Sequence, residues 1–143
     1  MLEGRFGGVS GAPYIQAHVS FPRLRLRGLL LLLIDTGADV TVLMPRESKR
    51  LNINFHALTN LTESQGVGGI ATAYQEAAAI SFYDRHYIYS YITKIEVAAP
   101  LAHNNRIPSL LGRDILRQWR LIVDRPENEI RCVPKTWAMR SRV

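Results

Sequence analysis

The chain has 143 residues, of which 47% are hydrophobic and 21% charged, and its formal net charge is +6. This length suits one domain, and the composition excludes disordered, collagen-like and low-complexity proteins. The longest apolar run, residues 29–34, has six residues, whereas a membrane-spanning helix needs about 20. We therefore expect no membrane partner.

Alternating apolar residues and frequent turn signals predict a mainly β chain with little helix. In chain order, the predicted strands cover residues 14–19, 24–33, 40–43, 71–74, 79–82, 87–92, 121–124 and 129–133. Turns are predicted at 66–69 and 84–86, and helical turns over 45–51 and 113–119. The poorly patterned residues 1–12 and 134–143 are predicted to be tails around one domain, 13–133.

The positive charge is spread along the chain, and fifteen of the eighteen basic residues are arginine. The densest group is residues 23–27, where alternation would place three arginines on one strand face. No nucleic-acid-binding motif accompanies this group, so an RNA-binding domain would rest on charge alone. We expect a solvated strand face and no nucleic-acid partner.

The cysteine and histidine residues bear on compartment and metal binding. The one cysteine, Cys132, cannot form an internal disulfide, and residues 1–5 are not followed by the apolar stretch of a secretory signal. Both features favour a cytoplasmic location. Cys132 and the four histidines show no metal-ligand spacing. No metal or other cofactor is therefore expected.

The chemistry is predicted where the apolar run ends in an acid, at Asp35. Burying a carboxylate without partners is costly, so hydrogen bonds must compensate for the lost water. Thr36 supplies a hydroxyl, and Gly37 lets neighbouring backbone approach and leaves its N–H free to point at the carboxyl. Taken alone, this triplet is equally consistent with an ordinary strand that ends in an Asp-Thr-Gly turn.

Two later segments distinguish these interpretations. Residues 65–70 read Gln-Gly-Val-Gly-Gly-Ile, and residues 109–116 read Ser-Leu-Leu-Gly-Arg-Asp-Ile-Leu. With the Asp-Thr-Gly-Ala-Asp of residues 35–39, their order and spacing resemble the retroviral-type aspartic proteases, or retropepsins, over roughly residues 13–133. The region after Asp114 is more similar to cellular and bacterial retropepsin-like domains than to viral enzymes. The resemblance implies a single mainly β barrel domain with one short helix near its C-terminal end.

The resemblance also implies roles for particular residues, of which Asp35 would be the catalytic aspartate. The Thr36 hydroxyl would bond across a two-fold axis, and Arg113 would hold the loop through a bidentate pair with Asp39. Asp114 receives no catalytic role. The active-site loop and its support would comprise Thr36, Gly37, Ala38, Asp39 and Arg113, and the substrate-binding flap would comprise Val67, Gly68, Gly69 and Ile70.

An aspartic protease needs two carboxyls facing one water, but this chain has a single Asp-Thr-Gly. The resemblance therefore implies a symmetric homodimer that hydrolyses a polypeptide substrate. Ala38 stands where many pepsin-like enzymes carry serine, which predicts an optimum nearer weakly acidic than strongly acidic pH. The alternative is a retropepsin fold that serves as a dimerisation or peptide-binding module with weak or no proteolysis.

Overall fold

The computed structural model describes residues 1–66 and 69–143, and in these ranges the chain is mainly β, as predicted. Its strands are β1 (Leu2–Gly7), β2 (Ala12–Phe21), β3 (Leu26–Ile34), β4 (Val42–Leu43), β5 (Leu61–Gly66), β6 (Gly69–Tyr83), β7 (Tyr87–Ala98), β8 (Ser109–Leu111), β9 (Trp119–Asp124), β10 (Glu129–Pro134) and β11 (Met139–Arg142). Its helices are α1 (Pro45–Arg50) and α2 (Arg113–Leu116), with a 3₁₀ turn over Phe55–Ala57.

The sheet closes on itself to form a barrel. Its strand order is β5-β6-β7-β4-β8-β3-β2-β1-β10-β9, and β6 also pairs with β2. Six strands, from β6 through β7, β4, β8 and β3 to β2, therefore form a ring. Within it, β3 pairs with β8 and β4 with β7 in parallel, while β8 lies between β3 and β4. This crossing brings the end of β3 next to the start of α2.

An aromatic cluster, Phe82, Tyr91 and Trp119, fills one part of the core. The ring centroids of Phe82 and Trp119 lie 4.8 Å apart at an interplanar angle of 86°. The Trp119 Nε1 group donates a hydrogen bond of 2.7 Å to the Tyr91 hydroxyl. Burial raises the pKa of Tyr91 to about 12, although the bond from Trp119 opposes this shift. The cluster thus packs edge to face with its polar atoms paired.

Both predicted tails contain strands. β1 pairs with β10 through residues 2–4 and with β2 through residues 5–7, and Leu2 is only 1% exposed. β11 pairs with β7. Neither segment shows strong apolar alternation, and residues 2–4 of β1 and all of β11 pair with strands far away in the sequence. The prediction that these segments are tails was therefore wrong.

The prediction that residues 23–27 form a strand with three arginines on one face is also wrong. Residues 22–25 form a turn between β2 and β3, and Arg25 has a positive φ of 54°. Arg23 makes hydrogen bonds of 3.1 and 2.5 Å to the two carboxylate oxygens of the buried Glu76. Alternation alone could not distinguish a strand from a turn whose half-exposed arginine pairs with a buried carboxylate.

Other boundaries also differ from the predicted ones. The segments 71–74 and 79–82 belong to one long strand, β6, and β7 continues to Ala98, because the two strands pair along eleven residues each. α2 ends at Leu116, and Trp119 begins β9. The predicted closing hairpin is confirmed, with β9 and β10 paired from Trp119 to Pro134.

The predicted turn at residues 84–86 is confirmed, and Asp84 holds it. Its Oδ1 atom accepts hydrogen bonds of 2.7 Å from the backbone N–H groups of His86 and Tyr87. Its Oδ2 atom accepts one from the Met1 ammonium group, also at 2.7 Å. Burial would raise the pKa of Asp84, but these hydrogen bonds outweigh it and lower the pKa to about 2.

Two further observations concern the single cysteine and the helices. Cys132 is a free thiol with 0% exposure, and burial raises its pKa to about 12, which makes it a poor nucleophile. No helix in the described ranges has both the length and the apolar character needed to span a membrane. The cytoplasmic location stays a prediction.

Candidate active site

Asp35 lies directly after β3, whose residues Leu30, Leu32 and Ile34 are buried in the core. Its backbone N–H donates to the Leu111 carbonyl of β8 at 3.1 Å. β3 pairs with β2 on its other side, so the carboxylate follows a strand that is hydrogen-bonded on both sides.

The Asp35 carboxylate is held by the tight turn that follows it. The Gly37 N–H donates to Asp35 Oδ1 at 2.9 Å, and the Ala38 N–H donates to the Asp35 carbonyl at 3.2 Å. Asp35 and Ala38 are partly exposed, whereas Thr36 and Gly37 are exposed. One carboxylate oxygen is thus fixed by the backbone, and the surface around it stays open in the single chain.

The loop after Asp35 crosses the end of β8 at very short range. A Cβ atom added at Gly112 would lie 2.4 Å from the carbonyl carbon and oxygen of Val40, and 2.9 Å from the Thr41 nitrogen. Backbone atoms cannot move aside as a flexible side chain can. Glycine is therefore required at position 112 for the two segments to cross.

Arg113 supports the loop after Asp35 through hydrogen bonds from its backbone and from its side chain. Its N–H donates to the Ala38 carbonyl at 2.8 Å, and its Nη1 group donates to the Thr36 carbonyl at 2.8 Å. Its Nη2 group bonds a single oxygen of Asp39. The predicted pair therefore forms without being bidentate, because the second half of the guanidinium fork is used on Thr36. Asp39 is 84% exposed, so this ion pair contributes little.

The partly buried Asp114 completes the support with its carboxylate, a role that the sequence did not predict. Its Oδ1 atom accepts from the Thr41 hydroxyl at 2.8 Å and the Ile115 N–H at 3.0 Å, while its Oδ2 atom accepts from the Thr41 N–H at 3.1 Å. The Thr41 hydroxyl in turn accepts from the Gly112 N–H at 3.2 Å. The sequence offered one weak signal for this role, an acid in the first helical turn after Gly112. The pairing itself was not predictable, because Thr41 lies 73 positions away from Asp114.

Two of the four predicted flap residues lie on the β5–β6 hairpin. Val67 and Gly68 lie outside the described residues. Gly69 and Ile70 begin β6, where they pair with Gly66 and Gln65 of β5. The structure therefore brings Asp35, the loop residues and Arg113 together, and it places two of the four flap residues on one hairpin.

Within the described ranges, no group of three or more His, Cys, Asp or Glu side chains is close enough to hold a metal ion. The chemistry available at the site is that of a carboxylate with a backbone N–H donor on one oxygen. Such a group can accept a proton from water or donate one to a carbonyl oxygen, depending on its protonation state. The role of each site residue stays a prediction.

Comparisons with known proteins agree with this geometry. The family model described as retroviral aspartyl protease matches residues 12–123. The chain is similar to a retropepsin-like aspartic protease from Rickettsia conorii, with 16% identity, a TM-score of 0.59, and coverage of 91% of this chain and 95% of that one. It is also similar to EIAV protease in complex with the inhibitor HBY-793, with 23% identity, a TM-score of 0.47, and coverage of 78% and 90%. No curated protein sequence matches the chain.

The likeness to the Rickettsia protein confirms the predicted retropepsin-like fold. Its bacterial source agrees with the expected closeness to cellular and bacterial retropepsin-like domains. The matched family region begins at the first residue of β2 and ends within β9. β1, β10 and β11 therefore lie outside the matched region.

Proposed function

This chain belongs to the retroviral aspartyl protease family, and we propose that it is an aspartic endopeptidase that acts as a symmetric homodimer. The observation that carries the proposal is the position of Asp35. Its carboxylate follows a buried strand, one of its oxygens is held by the Gly37 N–H at 2.9 Å, and its surroundings are open. A carboxylate fixed on one side and accessible on the other suits acid–base catalysis on a bound substrate.

The single chain carries half of the required chemistry. It has one Asp-Thr-Gly, and Thr36 and Gly37 are exposed beside Asp35. A second copy related by a two-fold axis would cover this surface and supply the second carboxyl. We also expect the β9–β10 hairpin to contribute to the interface, since β9 forms one end of the sheet order.

In the proposed dimer, the two Asp35 carboxyls share one proton, because two carboxylates at contact distance cannot both be ionised. The ionised carboxyl takes a proton from the water that attacks the scissile carbonyl. The protonated carboxyl donates to the carbonyl oxygen, and the two exchange roles when the amine leaves. The Thr36 hydroxyl would bond across the axis and keep the two loops in register.

The substrate would be an extended polypeptide that forms strand-like hydrogen bonds between the Asp35 loop and the tip of the β5–β6 hairpin. Gly37 and Asp39 would line its backbone. Val67, Gly68, Gly69 and Ile70 would form the flap, and the apolar side chains of Val67 and Ile70 favour apolar substrate positions. Arg113 supports the loop through the Thr36 carbonyl.

The proposal is tested by digesting an unbiased peptide library with the wild-type chain and with Asp35→Asn, and mapping the cleaved bonds. We expect wild type to cleave at preferred sites and Asp35→Asn to lose about 10²- to 10⁴-fold in rate. The control is Arg27→Gln, because Arg27 is exposed near the start of β3, whereas Asp35 follows the end of that strand. It should cleave like wild type.

Equal cleavage by wild type and Asp35→Asn would remove Asp35 from the mechanism. A wild-type dimer that binds peptides without cleaving them would establish the second candidate, a dimerisation or peptide-binding module on the same fold. The intact Asp-Thr-Gly favours the protease.

A further inference from the structure

An open strand edge lies at the end of β7 that is farther from Asp35. β11 pairs with β7 from Met139↔Ser90 to Arg142↔Tyr87, and no other described strand pairs with it. All four of its residues are exposed. An unpaired edge of this kind offers backbone N–H and C=O groups to a further extended segment.

Arginines without carboxylate partners border this edge. The Arg140 guanidinium lies 4.6 Å from the ring centroid of Tyr87 and 4.8 Å from that of Trp137. Over residues 1–66 and 69–143, no ion pair includes Arg85, Arg140 or Arg142. The two rings thus hold Arg140 in position, while its charge stays available to an anion.

Two of these arginines, Arg85 and Arg142, line a hollow of about 450 Å³ beside β11. The hollow is lined by Arg85, His86, Tyr87, Arg142 and Val143, with no acidic side chain among them. The neighbouring Asp84 is engaged by the Met1 ammonium group and by two backbone N–H groups. Glu3 and Asp84 line a neighbouring hollow with Arg85, but in the described part of the chain neither forms an ion pair with Arg85, Arg140 or Arg142.

We propose that β11 and the β6–β7 turn bind an extended acidic segment of a polypeptide. The segment would add a strand to the open edge of β11, and its acids at alternate positions would face Arg140 and Arg142. These two residues share one face because side chains alternate along a strand. Acids two residues apart on the added strand would have the same spacing.

A polypeptide fits this surface better than a nucleic acid does. A strand edge pairs with another peptide backbone and has no equivalent partner in a sugar–phosphate chain. Base stacking needs free aromatic faces, but Arg140 covers one face of both Tyr87 and Trp137, and Trp137 also packs edge-on against Tyr89 with ring centroids 5.3 Å apart.

The surface is separate from the proposed catalytic site. β11 pairs with residues 87–90 of β7, whereas β4, which follows the Asp35 loop, pairs with residues 96–97. At about 3.3 Å per residue, these positions lie roughly 25 Å apart along the strand. Binding at β11 therefore requires neither cleavage nor the homodimer, and this proposal does not depend on the protease proposal.

The test uses the full chain carrying Asp35→Asn, so that no probe is cleaved. The probe is a fluorescein-labelled ten-residue peptide of alternating Glu and Thr, and its binding is followed by fluorescence anisotropy. We expect binding that weakens as salt is added. Arg142→Gln should weaken it about three- to fivefold. The matched control is Arg27→Gln, an exposed β3 arginine without a described ion pair, which should stay within about twofold.

Two further probes separate strand addition from simple charge attraction. A Glu–Pro peptide of the same charge cannot pair as a central strand and should bind more weakly than the Glu–Thr peptide. A Gln–Thr peptide should also bind more weakly. Equal affinity for the Glu–Thr and Glu–Pro peptides would overturn strand addition. Equal losses from Arg142→Gln and Arg27→Gln, or tighter binding of a ten-nucleotide oligothymidylate, would overturn the acidic-peptide site.

Discussion

The Asp35 loop and the aromatic cluster are held in opposite ways. Residues 35–41 are tied to residues 111–115 by hydrogen bonds, and the surface around Thr36 and Gly37 is open. Phe82, Tyr91 and Trp119 are buried and packed edge to face, with one internal hydrogen bond. Packing stabilises the part of the barrel that is complete in one chain, whereas polar contacts hold the loop that we propose faces a partner.

This difference separates two kinds of substitution effect. Removing a buried aromatic ring lowers the free energy of unfolding by several kcal/mol, because its transfer from water is lost and a cavity remains. Each ring pair adds about 0.5–1.5 kcal/mol. A single net hydrogen bond contributes about 0.5–1.5 kcal/mol. Substitutions in the aromatic cluster should therefore destabilise the whole fold. Substitutions of Arg113 and Asp114, which hydrogen-bond the loop, should act locally and less strongly.

The largest effect is expected from Phe82→Ala. Phe82 is 0% exposed and contacts both other rings of the cluster, so its removal leaves a cavity. The free energy of unfolding should fall by about 3–5 kcal/mol, measured by urea unfolding. Tyr83→Ala is the matched control, since Tyr83 is 48% exposed and should cost about 1 kcal/mol or less. Equal losses at the two positions would contradict the assignment of stability to the buried cluster.

A smaller effect is expected from Asp114→Asn. In either orientation, the amide Nδ2 group would face an N–H donor, that of Thr41 or that of Ile115, so one hydrogen bond is lost. Stability should fall by about 1–3 kcal/mol. Amide hydrogen exchange should accelerate first in residues 36–41. Uniform acceleration across the barrel would show that Asp114 supports the whole fold and not the loop in particular.

Local pattern predicted the elements whose signal lies within the element itself. The buried run before Asp35, the Pro45 helix start and the closing hairpin were read correctly because their apolar and turn residues are adjacent in sequence. The half of β1 that pairs with β10, and all of β11, were missed because their partners are distant in the sequence, as in the pairing of Leu2 with Cys132. The Asp114 support was missed for the same reason, since it exists only once β8 crosses the loop.

The turn at Asp84 should make the stability of the fold depend on pH. Its pKa is lowered from 3.8 to about 2 when folded, so the folded state binds fewer protons than the unfolded state between these values. The stabilisation is present above about pH 4 and is lost as pH falls through 2. Urea unfolding at several pH values should show a wild-type advantage over Asp84→Asn that shrinks on acidification. The control Arg85→Gln should keep the wild-type pH dependence.

The smallest effect is expected from Arg113→Lys. Lysine keeps the charge but loses the fork that bonds Thr36 and Asp39 together. Because Asp39 is 84% exposed and the Arg113 backbone bond to Ala38 remains, stability should change by about 0.5 kcal/mol or less in thermal or urea unfolding. A loss larger than that measured for Asp114→Asn would mean that the guanidinium holds the loop more firmly than Asp114 does.

The proposed need for two Asp35 residues in one site is tested most directly by mixing subunits. Wild type and Asp35→Asn are combined in equal amounts at constant total protein, allowed to exchange, and assayed on a cleaved peptide. If each active site needs both copies, only wild-type pairs cleave, and about one quarter of the activity of pure wild type remains. A parallel mixture with Arg27→Gln should retain full activity. Retention of about one half with Asp35→Asn would mean that each chain acts alone, which would contradict the account.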